Sequence, residues 1–216
     1  MIKAVIFDFD DTLVHTYENI TDTLRVFSKR EGLHFPPETL LRKHWGKTWK
    51  EFFTAVWPGI ESGVLRKFSR LSRFKPLPAV RGAHEVLDVL SKKYVIGIVT
   101  GRDRDSLMHR LFHSGIDFKK FSFIIAQDEI QKSKSHPAYF LPALSELEKL
   151  GIGKEEILFV GDSVYDYEIA QNAGLSFVGV LTGPNTREEF LGKGVKEQMI
   201  LPSVLELPHF IENNGF

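Results

Sequence analysis

The chain has 216 residues, 43% hydrophobic and 26% charged, which suits a globular protein of one large domain or a core with a modest insertion. Lysine plus arginine equals aspartate plus glutamate at 28 each, which excludes a broad cationic surface for nucleic acid or anionic lipid. Cysteine is absent, so disulfides, thiolate metal ligands and a cysteine nucleophile are excluded as well.

The first element is an apolar run at 4–7, a strand's length, followed at once by Asp8 and Asp10. That pattern is unlike a signal peptide, and no stretch approaches the roughly 18 apolar residues of a membrane span. A cytoplasmic protein is the expectation. Residues 16–76 then change character. Ile20, Leu24 and Phe27 follow helical spacing, Trp45, Trp49, Phe52, Phe53 and Trp57 form an aromatic block, and Pro36-Pro37 and Pro58-Gly59 punctuate the stretch. About sixty residues is too long for a plain loop, so a small helical insertion is expected over one end of a sheet. Pro76 and Pro78 mark the return.

Four further apolar runs follow, at 94–99, 121–126, 157–160 and 177–181. They are continuous rather than alternating, the pattern of parallel strands buried on both faces. Helical spacing separates them, with Val86, Leu87 and Leu90 on one face before the second strand and Phe140, Leu144 and Leu147 before the fourth. Pro142 requires its helix either to begin late, with the proline in the first turn, or to bend. The rhythm predicts an α/β fold, an open parallel Rossmann-like sheet flanked by helices with right-handed crossovers. Residues 1–15 and 77–216 would form the core and 16–76 an all-helical unit.

Ligands of such sheets gather beyond the carboxyl ends of the strands, and polar residues stand at four of these ends. Asp8 and Asp10 are two apart on an extended chain and therefore share a side. Their repulsion favours protonating one of them or capturing a cation between them. Thr100-Gly101-Arg102 offers a hydroxyl and free backbone N–H groups before a helix, a phosphate cradle or an ordinary helix entry. Lys134 follows the third strand and would offset charge on a phosphoryl group; Lys132 is close enough to be a rival. Asp162 and Asp166 straddle a helix start, where hard carboxylate oxygens suit Mg²⁺, the alternative being a capping aspartate with an incidental second acid. Within the insertion, Lys43, Trp45 and Lys47 stand in a basic and aromatic segment around a glycine, suited to an anionic small substrate or to a solvated helix face.

Taken together, Asp8-Phe9-Asp10-Asp11-Thr12, Thr100, Lys134 and Gly161-Asp162-Ser163-Val164-Tyr165-Asp166 resemble the four motifs of the haloacid dehalogenase superfamily, with the insertion where that family's C1 helical cap belongs. The resemblance is greatest to phosphoglycolate phosphatase-like members, which usually carry glycine where this chain has Asp11 and commonly proline where it has Ser135. It implies a Mg²⁺-dependent phosphatase acting on a small phosphorylated metabolite as a monomer or homodimer. By that resemblance Asp8 is the nucleophile and Asp10 the acid and base. Asp8, the Asp10 carbonyl and Asp162 hold the metal, with Asp166 behind them, and Thr100 and Lys134 bind phosphoryl oxygens. Gly101, Arg102 and the insertion residues would contact substrate. A phosphomutase shares all four motifs, a dehalogenase fits Asp10 and the metal acids less well, and a non-catalytic binding module would be expected to lack one of these groups.

Overall fold

The structure, a computed structural model, describes residues 1–47, 49–72, 75–130 and 136–213. Six strands form one parallel sheet in the order β3-β2-β1-β4-β5-β6. They are β1 (Ala4–Phe7), β2 (Val95–Val99), β3 (Phe123–Ile125), β4 (Ile157–Gly161), β5 (Ser176–Val180) and β6 (Ile200–Leu201). The five expected strands are present with ends shifted by up to two residues. The sixth went unread, because Ile200-Leu201 is too short to stand out from its surroundings.

Alternation within the buried strands divides the core into two layers. Val5 and Phe7 of β1, with Leu158 and Val160 of β4, face one side. There they meet Val86, Leu87 and Leu90 of α5 (Ala83–Leu90), Leu107 and Leu111 of α6 (Arg104–Ser114), and Phe210 and Ile211 of α10 (Leu207–Asn213). Ala4, Ile6, Ile157 and Phe159 face the other side, against Leu147 of α7 (Leu141–Glu148), Ile169 of α8 (Val164–Ala173) and Phe190 of α9 (Arg187–Gly192). Pro142 lies in the first turn of α7, where a proline's missing N–H has no intrahelical partner to lose.

Between β1 and β2 lie α1 (Tyr17–Glu31), α2 (Glu38–His44), α3 (Trp49–Val56) and α4 (Ser62–Ser72). They bury an apolar cluster of their own around Ile20, Leu24, Phe27, Trp45, Phe52, Phe53 and Phe68. Two antiparallel segments carry the chain out and back. The His15 N–H donates to the Pro78 carbonyl at 2.9 Å, and the Val80 N–H to that of Leu13 at 2.9 Å. Among the described residues no helix is long and apolar enough to cross a membrane.

Candidate active site

The strand order fixes where a site can form. β1 is central, with β2 and β3 on one side and β4 to β6 on the other, so the connections diverge between β1 and β4. A crevice opens at the carboxyl ends of that pair. Asp8 follows β1 directly and Asp162 follows β4 directly, and the register pairs Phe7 with Val160. Two aspartates 154 positions apart in sequence thus become neighbours.

Ligand oxygens of Asp8, Asp162 and Asp166 lie within 4.8 Å of one another, and all three residues are buried. Ser163 caps α8. Its side chain accepts from the Asp166 N–H, and Asp166 Oδ2 in turn accepts from the Ser163 hydroxyl at 2.6 Å and its N–H at 3.1 Å. Asp166 thus completes a capping box with Ser163 and also belongs to the acidic cluster, while the N-cap itself is Ser163 rather than the expected aspartate. The Thr12 hydroxyl points to Asp162 Oδ1 at 3.5 Å. Gly183, just past β5, runs so close that an added Cβ would sit 1.8 Å from Asp162 Oδ2, so a side chain there would displace the carboxylate. Three buried carboxylates this close repel one another strongly, and their hard oxygen donors fit Mg²⁺.

Asp10 has different company. Arg102 grips it in a fork, Nη2 to Oδ1 at 2.5 Å and Nε to Oδ2 at 3.0 Å, while the Thr16 hydroxyl donates to Oδ1 at 2.7 Å. Arg110, fully buried on α6, brings Nη1 to 4.0 Å from the same oxygen and donates from Nη2 to the Ser72 carbonyl at 3.3 Å. Burial alone would raise the Asp10 carboxyl. The Arg102 and Arg110 charges, with hydrogen bonds from Arg102 and Thr16, outweigh it and hold the group below its ordinary value. For Arg110, burial and the Arg102 charge push the guanidinium down to about 9 despite the attraction of Asp10.

Asp8, Asp10, Thr100, Gly101, Arg102, Asp162, Trp45 and Lys47 line one cleft. Thr100 is buried, with its N–H donating to the Ile125 carbonyl at 3.1 Å and its hydroxyl accepting from the Arg102 N–H at 3.3 Å. Residues 100–102 and the acidic pair thus line the same cleft, but the Thr100 and Arg102 N–H groups, expected to be free, donate within the protein. Lys43 does not join them; it lines a neighbouring cleft with Arg42, Tyr165 and Glu189, which Trp45 and Lys47 also border. Lys134 lies outside the described residues, as do Lys132 and Ser135. The sequence reading missed Thr16, Arg110 and Gly183. Arg110 had a signal, since an arginine beside Leu107 and Leu111 falls on the apolar stripe of its helix. Thr16 had none, its approach to Asp10 being made by the turn between them.

Asp11 holds the remaining surprise. Its backbone is left-handed, φ 56°, the one such non-glycine among the described residues. Its carboxylate is 2% exposed and accepts from the N–H groups of Thr16 and Tyr17 and from the Trp45 indole. Burial pushes this carboxyl up, the Tyr17 and Thr16 N–H groups oppose the rise, and the Asp10 charge adds to it.

A sequence model of the haloacid dehalogenase-like hydrolases matches residues 5–180. The chain is 28% identical to pyrophosphatase PpaX of Bacillus pumilus over 83% of each chain. It is 29% identical to phosphoglycolate phosphatase of Pectobacterium atrosepticum over 87% of this chain and 83% of that one. Among solved structures, a haloacid dehalogenase-like hydrolase from Bacteroides fragilis superposes with a TM-score of 0.82 at 25% identity, covering 96% of this chain and 100% of that one. With its parallel sheet, its acidic cluster at the β1–β4 crevice and a family match over most of its length, this chain is an enzyme of the haloacid dehalogenase-like hydrolase family.

Proposed function

We propose that the chain is a Mg²⁺-dependent phosphatase that hydrolyses a small, anionic phosphomonoester of the phosphoglycolate kind through an aspartyl-phosphate on Asp8. The observation that carries this reading is the pairing of two oppositely built halves in one cleft. Asp8, Asp162 and Asp166 lie together on one side, and Arg102 with Arg110 stands behind Asp10 on the other.

Asp8 Oδ would attack phosphorus in line as the bond to the ester oxygen breaks, with Asp10 giving that oxygen its proton. Water then attacks the aspartyl-phosphate as Asp10 takes back a proton, and phosphate leaves with Asp8 restored. Arg102 holds Asp10 ionised in the substrate-free protein, the form that accepts a proton in the second half. For the first half Asp10 must first take up a proton, which a phosphomonoester bound as its monoanion would bring. Phosphoryl or carboxylate oxygens of a bound substrate would draw on the same guanidinium and relax that hold. Thr100, the Gly101 backbone and Lys134 would bind the transferring phosphoryl oxygens. Asp8, Asp162 and the Asp10 carbonyl would hold Mg²⁺, with Asp166 orienting them from behind. When bound, the ion supplies charge neutralisation between carboxylate and phosphate.

Residues 16–76 act in this reading as a cap over the core formed by 1–15 and 77–216, excluding water and contacting the substrate through Trp45 and Lys47. A second reading, hydrolysis of pyrophosphate, draws support from the relatives named pyrophosphatase that match over more than four fifths of both chains and from the cationic Arg102 and Lys47 flanking the cleft. The deciding experiment measures phosphate release from phosphoglycolate, pyrophosphate, sugar phosphates and nucleoside monophosphates, with and without Mg²⁺. Steady release from a small anionic ester in Mg²⁺ alone is expected. Phosphate exchange between sugar positions without release would mean a mutase, and release equal in chelator would remove the metal from the scheme.

A further inference from the structure

Position 11 combines a conformational cost with a set of contacts. A left-handed φ is the ordinary province of glycine, because a Cβ there crowds the following carbonyl. This chain places a carboxylate at φ 56° and buries it. Strain retained at one position directs attention to what its side chain does.

Two tasks are visible. Oδ1 accepts from Thr16 N at 2.7 Å and Tyr17 N at 2.9 Å, serving the start of α1, whose own N-cap Thr16 makes no side-chain capping bond. Oδ2 accepts from Trp45 Nε1 at 2.8 Å, across 34 positions of sequence and from the far end of α2. The Trp45 ring meets Tyr17, Trp49 and Phe52 edge-on, with centroids 4.9, 5.8 and 5.8 Å away, so its placement registers the aromatic cluster of the whole insertion. The same indole lines the cleft that holds Asp8 and Asp10. The next residue, Gly46, passes so near β4's end that an added Cβ would lie 3.1 Å from Ser163 Oγ. From the core side, the Thr182 hydroxyl donates to the Asp11 carbonyl at 2.6 Å and steadies the turn.

We propose that Asp11 is a positioning residue that pins the Trp45 indole as a wall of the cleft and thereby restricts the enzyme to small phosphoesters. This rests on the phosphatase reading only for the word phosphoesters; the pinning itself belongs to the protein without substrate. A purely local role, capping α1, would need the Thr16 and Tyr17 contacts and nothing from Trp45.

Asp11→Gly keeps the turn and deletes the carboxylate, whereas Trp45→Phe keeps a ring and the α1 contacts and deletes only the indole donor. Two measurements are made on each variant and on the double variant. One is deuterium uptake across 42–47 without substrate. The other is steady-state phosphate release from phosphoglycolate and from adenosine 5′-monophosphate. Both single variants are expected to exchange faster at 42–47. Their KM for the smaller ester should rise about tenfold, the scale set by one hydrogen bond to a charged group, with a smaller change in kcat. Their preference should shift toward the nucleotide, and the double variant should add little. If Trp45→Phe leaves uptake at 42–47 and the substrate ratio at the parent's values, Asp11 merely caps α1 and the proposal is overturned. A parent that releases phosphate from neither ester contradicts the function proposed above, while the exchange measurement still decides the pinning.

Discussion

Replacing Asp162 by Asn should make the metal-free protein more stable and end its response to Mg²⁺. Carboxylate oxygens of Asp8, Asp162 and Asp166 lie no more than 4.8 Å apart, so at an effective dielectric of about 20 each ionised pair repels by roughly 3.5 kcal/mol. Asp162 takes part in two such pairs. Proton uptake, counterions and the further contacts that Asp8, Asp162 and Asp166 make relieve much of this in the folded state, so a net gain of about 1–3 kcal/mol is the reasonable expectation. For a chain of this length that is roughly 3–10 °C in unfolding temperature. The substitution costs little packing, since an amide oxygen can still accept from Thr12, whose contact is long at 3.5 Å. Thermal unfolding in chelator and in saturating Mg²⁺ provides the assay. The parent should gain about 2.7 kcal/mol at an ion concentration 100-fold above its Kd, and the variant should gain nothing. A variant that melts below the parent in chelator, or responds to Mg²⁺ as the parent does, would refute the claim that these carboxylates form a cation site.

The other expectations concern turnover. Asp8→Asn should abolish phosphate release while keeping the parent's circular dichroism spectrum; residual multiple turnover would rule out attack by Asp8. Asp10→Asn should slow release by about 10²- to 10⁴-fold, the usual range for loss of a proton-transfer group, and should retain most of the Mg²⁺-dependent rise in melting temperature. Equal loss of that rise in the Asp10 and Asp162 variants would contradict the separation of their roles. Arg102→Gln should raise KM for an anionic ester by about tenfold or more, since a forked charge-assisted contact is removed. An unchanged KM would confine Arg102 to holding Asp10.

Much of this was legible because buried parallel strands and strand-end chemistry both leave local marks. The runs at 4–7 and 157–160 are continuous and apolar, and the acids that follow them are fixed in place by the strands themselves, so Asp8 and Asp162 could be read without a structure. Thr100 and Asp10 were legible for the same reason. What local pattern does not carry is the direction of a side chain leaving a turn or a helix. Lys43 and Lys47 are four apart and similar in chemistry, and both line the outer cleft, yet only Lys47 also reaches the Asp8 cleft. Between them the chain turns at Trp45 and Gly46, the glycine with φ 85°. Asp11 was visible only as a departure from the family's usual glycine. Its use became apparent from the Trp45 indole, a contact that no spacing rule anticipates.

Asp8 and Asp10 illustrate why residue type alone does not assign a role. They have the same side chain and stand two positions apart, but β1 ends between carboxylates on one side and guanidinium groups on the other. Asp8 sits with Asp162 and Asp166, a set of hard oxygen donors that fits a cation. Asp10 sits with Arg102, Arg110 and Thr16, where its charge is already compensated by the protein. A carboxylate set among other carboxylates is suited to share a cation with an incoming phosphate. One held by movable hydrogen bonds is suited to gain and lose protons as those bonds change. The division follows from the strand order: β4 on one flank of β1 contributes the acids, β2 on the other leads to Arg102 and α6, and Asp8 and Asp10 line one cleft between them.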